Sequence, residues 1–254
     1  IWIFTLGLPW QLGADFFLRH LLDGDPAANT LGWRWVAGLH TKGKTYLASA
    51  SNIRKCGAAR VASECNHDAG LARLATSAQP PEETLSSRAL QMQQVPWPAP
   101  YKAAGTDHGS VAVLLTEEDL ALDLPLSPRG VVALRPLPRS VVEPTSPQVQ
   151  QFGEAAVADA LSRAKTAFAS TLRAPCTLAA SAEEIVSWAE QHGFTEILCA
   201  YAPSGPVRQL MPQLVSRLAA RGIRLTEFMR DYDRLVWPHA QKGFFQLGKR
   251  IPDF

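Results

Sequence analysis

The first sixty residues place apolar side chains at helical spacing. Residues 11–22 carry a leucine or phenylalanine about once per turn, which predicts an amphipathic helix. The stretch 23–26 then combines a glycine with Asp25 and Pro26, a pattern that ends one helix and begins another. We therefore expect two helices in succession, the second with Asp25 as its N-cap and Pro26 in its first turn.

The pattern changes twice further along the chain. Residues 61–108 are rich in proline and turn residues, which predicts a linker with one short helix near 82–93. From residue 109 onward, short continuous apolar runs such as 111–115 and 130–134 alternate with longer amphipathic segments. Continuous apolar runs are typical of strands buried on both faces of a parallel sheet.

These patterns predict an α and α/β fold. We expect an all-helical portion over 1–60, a proline-rich linker over 61–108, and a doubly wound, Rossmann-like α/β domain with right-handed crossovers over 109–254.

Composition excludes several classes of protein. Of the 254 residues, 46% are hydrophobic and 19% are charged, as in folded globular chains. The four cysteines form no C-x-x-C pair and no metal-ligand spacing, so we expect a cytoplasmic protein without a metal. The apolar opening stretch 1–10 is too short to span a bilayer, which argues against a membrane partner. The chain begins within this apolar stretch and without a methionine, so we expect further sequence upstream.

The charge is unevenly distributed. The formal net charge is +2, but residues 1–60 carry +4 and the rest of the chain −2. A local cationic excess suits a polyanion such as a nucleic-acid backbone. A solvated basic surface explains the same excess equally well.

The most unusual stretch is 23–38. Two acids flank Gly24, an amide follows at Asn29, and two tryptophans stand at Trp33 and Trp35. Capping acids and core tryptophans are one explanation of these residue types.

The same stretch resembles a known family. Asp23-Gly24-Asp25, Ala28-Asn29, Gly32-Trp33-Arg34-Trp35 and Ala37-Gly38 are similar to the flavin-binding core of the DNA photolyase/cryptochrome family. Trp10 also falls where that family keeps a tryptophan. The resemblance covers about residues 1–55 and implies the end of a helical FAD-binding photolyase domain.

The resemblance implies a role for each matching residue around the cofactor. Asp23 and Asp25 would face the flavin, and Asn29 would lie beside its N5 atom. Trp33 would be the tryptophan nearest the flavin, and Trp10 the next member of an electron-transfer chain.

Other residues would face the substrate. Trp35 would stack on the bases of a lesion flipped out of damaged DNA. Arg34, Lys42 and Lys44 are candidates for phosphate contacts, although each is also explained as a solvated surface charge.

Three functions remain open from the sequence. The resemblance favours FAD-dependent, light-driven repair of pyrimidine dimers by a lyase acting as a monomer on damaged DNA. The alternatives are a cryptochrome-like blue-light photoreceptor without repair activity and a flavin-free interaction module. Residues 111–120 also resemble the start of the family's antenna-binding domain, but that domain normally precedes the flavin domain. An antenna chromophore is therefore left open.

Overall fold

The chain divides into two compact units. The computed structural model describes residues 1–41, 44–56, 68–81, 98–101, 110–242 and 244–254. The first unit comprises Ile1–Gln93 and Pro138–Val149, and the second comprises Gln94–Leu137 and Gln150–Phe254. The predicted linker boundaries near 60 and 108, and the short helix near 82–93, lie outside the described residues, so these remain predictions.

The first unit is helical. Its helices are α1 (Trp10–His20), α2 (Pro26–Val36), α3 (Ala50–Cys56) and α4 (Asp68–Leu71). The side chain of Asp25 caps α2 by accepting a hydrogen bond from the backbone N–H of Ala28, and Pro26 occupies the first turn. The predicted helix stop and restart is confirmed.

The last turn of α1 is capped by a residue distant in sequence. The guanidinium group of Arg139 donates hydrogen bonds to the carbonyl oxygens of Leu18, at 3.3 Å, of Leu22, at 3.0 Å, and of Leu21. Carbonyl groups at a helix C-terminus have no partner within the helix, and a positive charge there also complements the helix dipole. Residues 138–149 thus complete the helical unit.

The second unit is an α/β layer structure. Its parallel strands are β1 (Val111–Leu115), β2 (Gly130–Leu134), β3 (Thr177–Ala179), β4 (Glu196–Ala200) and β5 (Arg224–Phe228). Its helices are α5 (Pro147–Ala167), α6 (Ala182–Gln191), α7 (Pro206–Ala219), α8 (Asp231–Val236) and α9 (Phe244–Gly248), with 3-10 turns at Trp237–Lys242 and Ile251–Asp253. The strand order is β3-β2-β1-β4-β5, so the predicted α and α/β fold class is confirmed.

The apolar residues of β1 and β2 pack into two hydrophobic cores, one on each face of the sheet. Ala112 and Leu114 of β1 pack in a cluster with α6 and α7, whereas Val111, Val113 and Leu115 pack in a second cluster with α5. Since neighbouring strand residues face opposite sides, both faces of the sheet are covered and every position of β1 must be apolar.

One carboxylate is buried within the sheet and is fully paired. Glu196, at the start of β4, is 5% exposed. It accepts hydrogen bonds from the Arg224 guanidinium group at 2.9 Å and from the Thr226 hydroxyl at 2.6 Å. These bonds compensate the desolvation of the charge and tie β4 to β5.

Within the described residues, none of the helices is both long enough and apolar enough to cross a bilayer.

The buried thiol of β4 gives a prediction. Burial, with Glu227 and Asp119 nearby, raises the pKa of Cys199 to about 12. We expect iodoacetamide at pH 8 to alkylate the exposed Cys56 readily and Cys199 about a thousandfold more slowly, since only the thiolate reacts. Peptide mass spectrometry measures both rates, and unfolding in denaturant should equalise them. Equal rates in the native protein would show that Cys199 is not buried.

Candidate functional site

A mostly apolar pocket lies beside one face of α2 in the first unit. It encloses about 520 Å³. We call it the α2 pocket; its lining residues are Ile1, Trp2, Ile3, Phe4, Phe17, Ala28, Asn29, Gly32, Trp33, Trp35 and Val36. Aromatic rings dominate this lining, and Asn29 contributes a polar side chain to it.

Helical spacing explains how α2 builds this wall. Asn29, Gly32, Trp33 and Val36 stand three, four and seven residues apart and therefore share one face of the helix. A Cβ atom at Gly32 would meet no other atom within 4 Å, so the absence of a side chain there leaves open space. The open space at Gly32 lies next to the indole of Trp33, so this face of α2 offers room beside an aromatic ring.

The amide of Asn29 is held in a fixed orientation. Its Nδ2 atom donates a hydrogen bond to the carbonyl oxygen of Ala14 on α1, at 2.8 Å. A carboxamide used in this way still offers one N–H donor and an acceptor oxygen. Asn29 can therefore bind a heteroaromatic edge that presents either a donor or an acceptor.

Trp33 occupies the contact between the two helices. Its ring packs edge-on against Phe17 of α1, with centroids 5.1 Å apart and planes at 83°. A Cβ atom at Gly13 would lie only 2.2 Å from the Cη2 atom of Trp33. The helices can approach this closely because residue 13 is a glycine.

Trp10 and Trp33 meet in one apolar cluster. Trp10 is 8% exposed and forms a small core with Ala14 and Ala37, against which Trp33 packs. The guanidinium carbon of Arg34 lies 5.7 Å from the centroid of the Trp10 ring. The two tryptophans predicted to exchange electrons are thus neighbours, while that role itself remains a prediction.

Trp35 lies at the exposed side of the pocket. Its side chain is 44% exposed, and its ring lies 5.4 Å from that of Tyr46 at an angle of 33°. An exposed indole beside a second ring offers a surface on which a base can stack.

The charged candidates lie elsewhere. Asp23 and Asp25 are exposed and do not line the α2 pocket, and the Asp25 side chain is engaged in capping α2. Lys44 is exposed, and Lys42 lies outside the described residues. The roles of these four residues toward cofactor or DNA remain predictions.

Eight of the eleven lining residues were not predicted as site residues from the sequence, among them the aromatic residues Trp2, Phe4 and Phe17. The indole N–H of Trp2 donates a hydrogen bond to the carbonyl oxygen of Pro9 at 2.8 Å. The density of aromatic residues in the first ten positions was the available signal. Among the described residues, no group of three His, Cys, Asp or Glu side chains could hold a metal ion.

Comparison with known proteins identifies the segment that builds this pocket. Residues 2–62 match the model of the FAD-binding domain of DNA photolyase. We call residues 2–62 the photolyase segment because of this similarity. Every lining residue of the α2 pocket except Ile1 lies within the photolyase segment, and the match confirms FAD as the cofactor of this domain.

Curated photolyases align with the same part of the chain. The chain is 42% identical over 50 residues to a deoxyribodipyrimidine photo-lyase of Synechococcus sp., a stretch covering 19% of this chain and 10% of that protein. It is 54% identical over 37 residues to the enzyme of the same name from Streptomyces griseus, covering 15% and 8%. With the Salmonella typhimurium enzyme it shares 44% over 39 residues, again covering 15% and 8%.

The chain thus spans a tenth or less of the length of these curated relatives. No solved structure matches it significantly.

The contact between Gly13 and Trp33 can be tested with a matched pair of variants. Gly13→Ala should displace the Trp33 ring and destabilise the helical unit by roughly 1–3 kcal/mol, because the added methyl group overlaps the indole. Gly32→Ala adds the same methyl group to a helix with open space around it and should be neutral or stabilise by up to about 1 kcal/mol. Urea unfolding followed by tryptophan fluorescence measures both. Equal effects of the two variants would contradict the packing described.

Proposed function

We propose that this chain is part of an FAD-dependent photolyase that uses light to split pyrimidine dimers in damaged DNA. The observation that carries the proposal is the α2 pocket, where Asn29, Trp33 and Trp35 converge within the photolyase segment.

The donor set of the pocket fits a flavin ring. Isoalloxazine is flat and largely apolar across its faces, with hydrogen-bonding atoms at its edges. The aromatic walls and the single oriented amide of Asn29 suit both features. We propose that Asn29 and Trp33 contact the ring, and that Asp23 and Asp25 contact the more polar parts of FAD. A bound flavin would supply the absorption of blue light, which no side chain provides, and the redox chemistry of the reaction.

The residues of this chain would then perform three tasks. The apolar walls exclude water from the ring, Asn29 fixes its edge, and Trp33 supplies an electron from an oxidisable indole. Trp33 suits this task because it lies between the pocket and the Trp10 cluster. An electron lost by Trp33 can therefore be replaced from Trp10.

We propose that the exposed side of the pocket recognises the lesion. A damaged dinucleotide must leave the duplex to be reached, and weakened stacking makes this easier. We propose that Trp35 stacks on the extruded bases and that Arg34, Lys42 and Lys44 contact phosphates. The +4 charge of the first sixty residues supports attraction of a DNA backbone.

We also propose that the protein is cytoplasmic. The cysteines that the structure describes, Cys56, Cys176 and Cys199, are free thiols, which supports a cytoplasmic location. We propose that the protein acts as a monomer.

The test of the function uses the full chain supplied with FAD. We expect an absorption band of bound flavin that bleaches under blue light with a reductant, and light-dependent loss of cyclobutane dimers from an irradiated oligonucleotide. Bleaching without repair would replace the proposal with a photoreceptor. A chain that remains colourless with excess FAD would overturn both and leave an interaction module.

A second prediction concerns the electron donor. Trp33→Phe should slow photoreduction at least about tenfold while FAD stays bound, because phenylalanine is far harder to oxidise than indole and keeps the ring contact. Trp35→Phe is the matched control from the same pocket and should leave photoreduction unchanged while weakening binding of dimer-containing DNA. Flash photolysis measures the first effect and a binding titration the second. Unchanged photoreduction in Trp33→Phe would remove this residue from the electron path.

A further inference from the structure

We propose that Arg34 is a positioning residue for electron transfer. Its positive charge shortens the lifetime of the electron vacancy, that is, of the cation radical, on Trp10. The inference rests on the proposed function in one respect, namely that the vacancy reaches Trp10 from Trp33. It concerns how long the vacancy stays on Trp10, which the function leaves open.

The first observation is the place of the Arg34 charge. Its guanidinium carbon lies 5.7 Å from the centroid of the Trp10 ring, and Trp10 is 8% exposed. A cation over a neutral indole is attracted by the electron-rich ring face. The same cation repels an indole that has lost an electron. Because Trp10 is buried and Arg34 is half-buried, water screens this repulsion less than it screens two exposed charges. One contact therefore stabilises reduced Trp10 and disfavours its cation radical.

The second observation is the indole N–H of Trp10. The nitrogen is buried away from solvent, and none of the residues that the structure describes accepts its hydrogen bond. A tryptophan cation radical becomes long-lived by passing its N–H proton to a base or to water. At Trp10 this proton has no described acceptor, so the radical keeps its positive charge beside Arg34.

The third observation is the route by which the vacancy arrives. Trp33 packs against the core formed by Trp10, Ala14 and Ala37. In the transfer step one electron moves from Trp10 to the cation radical of Trp33, which becomes neutral again. No bond forms or breaks and no proton moves. The vacancy on Trp10 then returns to Trp33 or is filled by an external reductant.

Together these contacts assign Arg34 a role that its position on the surface of α2 did not suggest. Its charge raises the free energy of the Trp10 cation radical. Because the buried N–H cannot pass its proton to any described residue, the radical is not stabilised by deprotonation. Trp10 is thus oxidised only briefly before an electron refills it.

The experiment uses the full chain without flavin, so that its outcome does not depend on cofactor binding. Carbonate radical generated by a laser flash oxidises accessible tryptophans, and transient absorption follows the tryptophanyl radicals as the vacancy migrates. Trp10→Phe identifies the part of the signal that belongs to Trp10.

We expect Arg34→Gln to raise the amount and the lifetime of the Trp10 radical about tenfold, because the neighbouring charge is removed. Arg34→Lys keeps a cation near the ring and should behave like the unchanged chain. Arg34→Met, neutral and of similar length, serves as a second test if Arg34→Gln does not fold.

A Trp10 signal equal in Arg34→Gln and the unchanged chain would overturn the proposal. So would an Arg34→Lys variant that behaves like Arg34→Gln, since the effect would then come from shape rather than charge. Failure of the proposed function shows instead as a chain that does not bind FAD or repair dimers, which this experiment does not measure.

Discussion

The close approach of α1 and α2 governs the geometry of the helical unit. Gly13 has no side chain, and the ring of Trp33 fills the space where one would lie. At this separation the Asn29 amide donates a hydrogen bond across the two helices to the carbonyl oxygen of Ala14. The same approach brings Trp33 against the Trp10 core. A single glycine therefore sets the distance on which the amide orientation, the pocket wall and the tryptophan cluster depend.

The fold could be predicted where burial imposes a simple pattern. β1 and β2 are buried along their whole length, so their apolar runs identify them without reference to anything distant. β3 escaped prediction because it has three residues, of which Leu178 is exposed, and its identity comes from pairing with β2. The N-cap at Asp25 was predictable because a capping bond is local, spanning three residues.

The candidate site was predictable to a lesser extent. Asn29, Trp33 and Trp35 were singled out by the resemblance to the photolyase/cryptochrome family, and all three line the α2 pocket. Trp2 and Phe4 also line the pocket, and no local pattern specifies which helix a distant aromatic residue will face. The contact between Arg34 and Trp10 could not be predicted either. It joins a charged residue of α2 to a ring of α1, and no local pattern specifies such a pairing.

The contacts of Arg139 affect the order in which the chain can fold. This residue closes the end of α1 from 118 positions away along the sequence, at its bond to Leu21. Bringing such distant residues together carries a loop-closure entropy that neighbouring contacts avoid, and non-local contacts slow folding. On the ribosome, both β1 and β2 must be synthesised before Arg139 exists. The helical unit is therefore the first part of the chain to be synthesised, but its folding is completed late. Until Arg139 is available, water must hydrogen-bond the carbonyl groups at the end of α1.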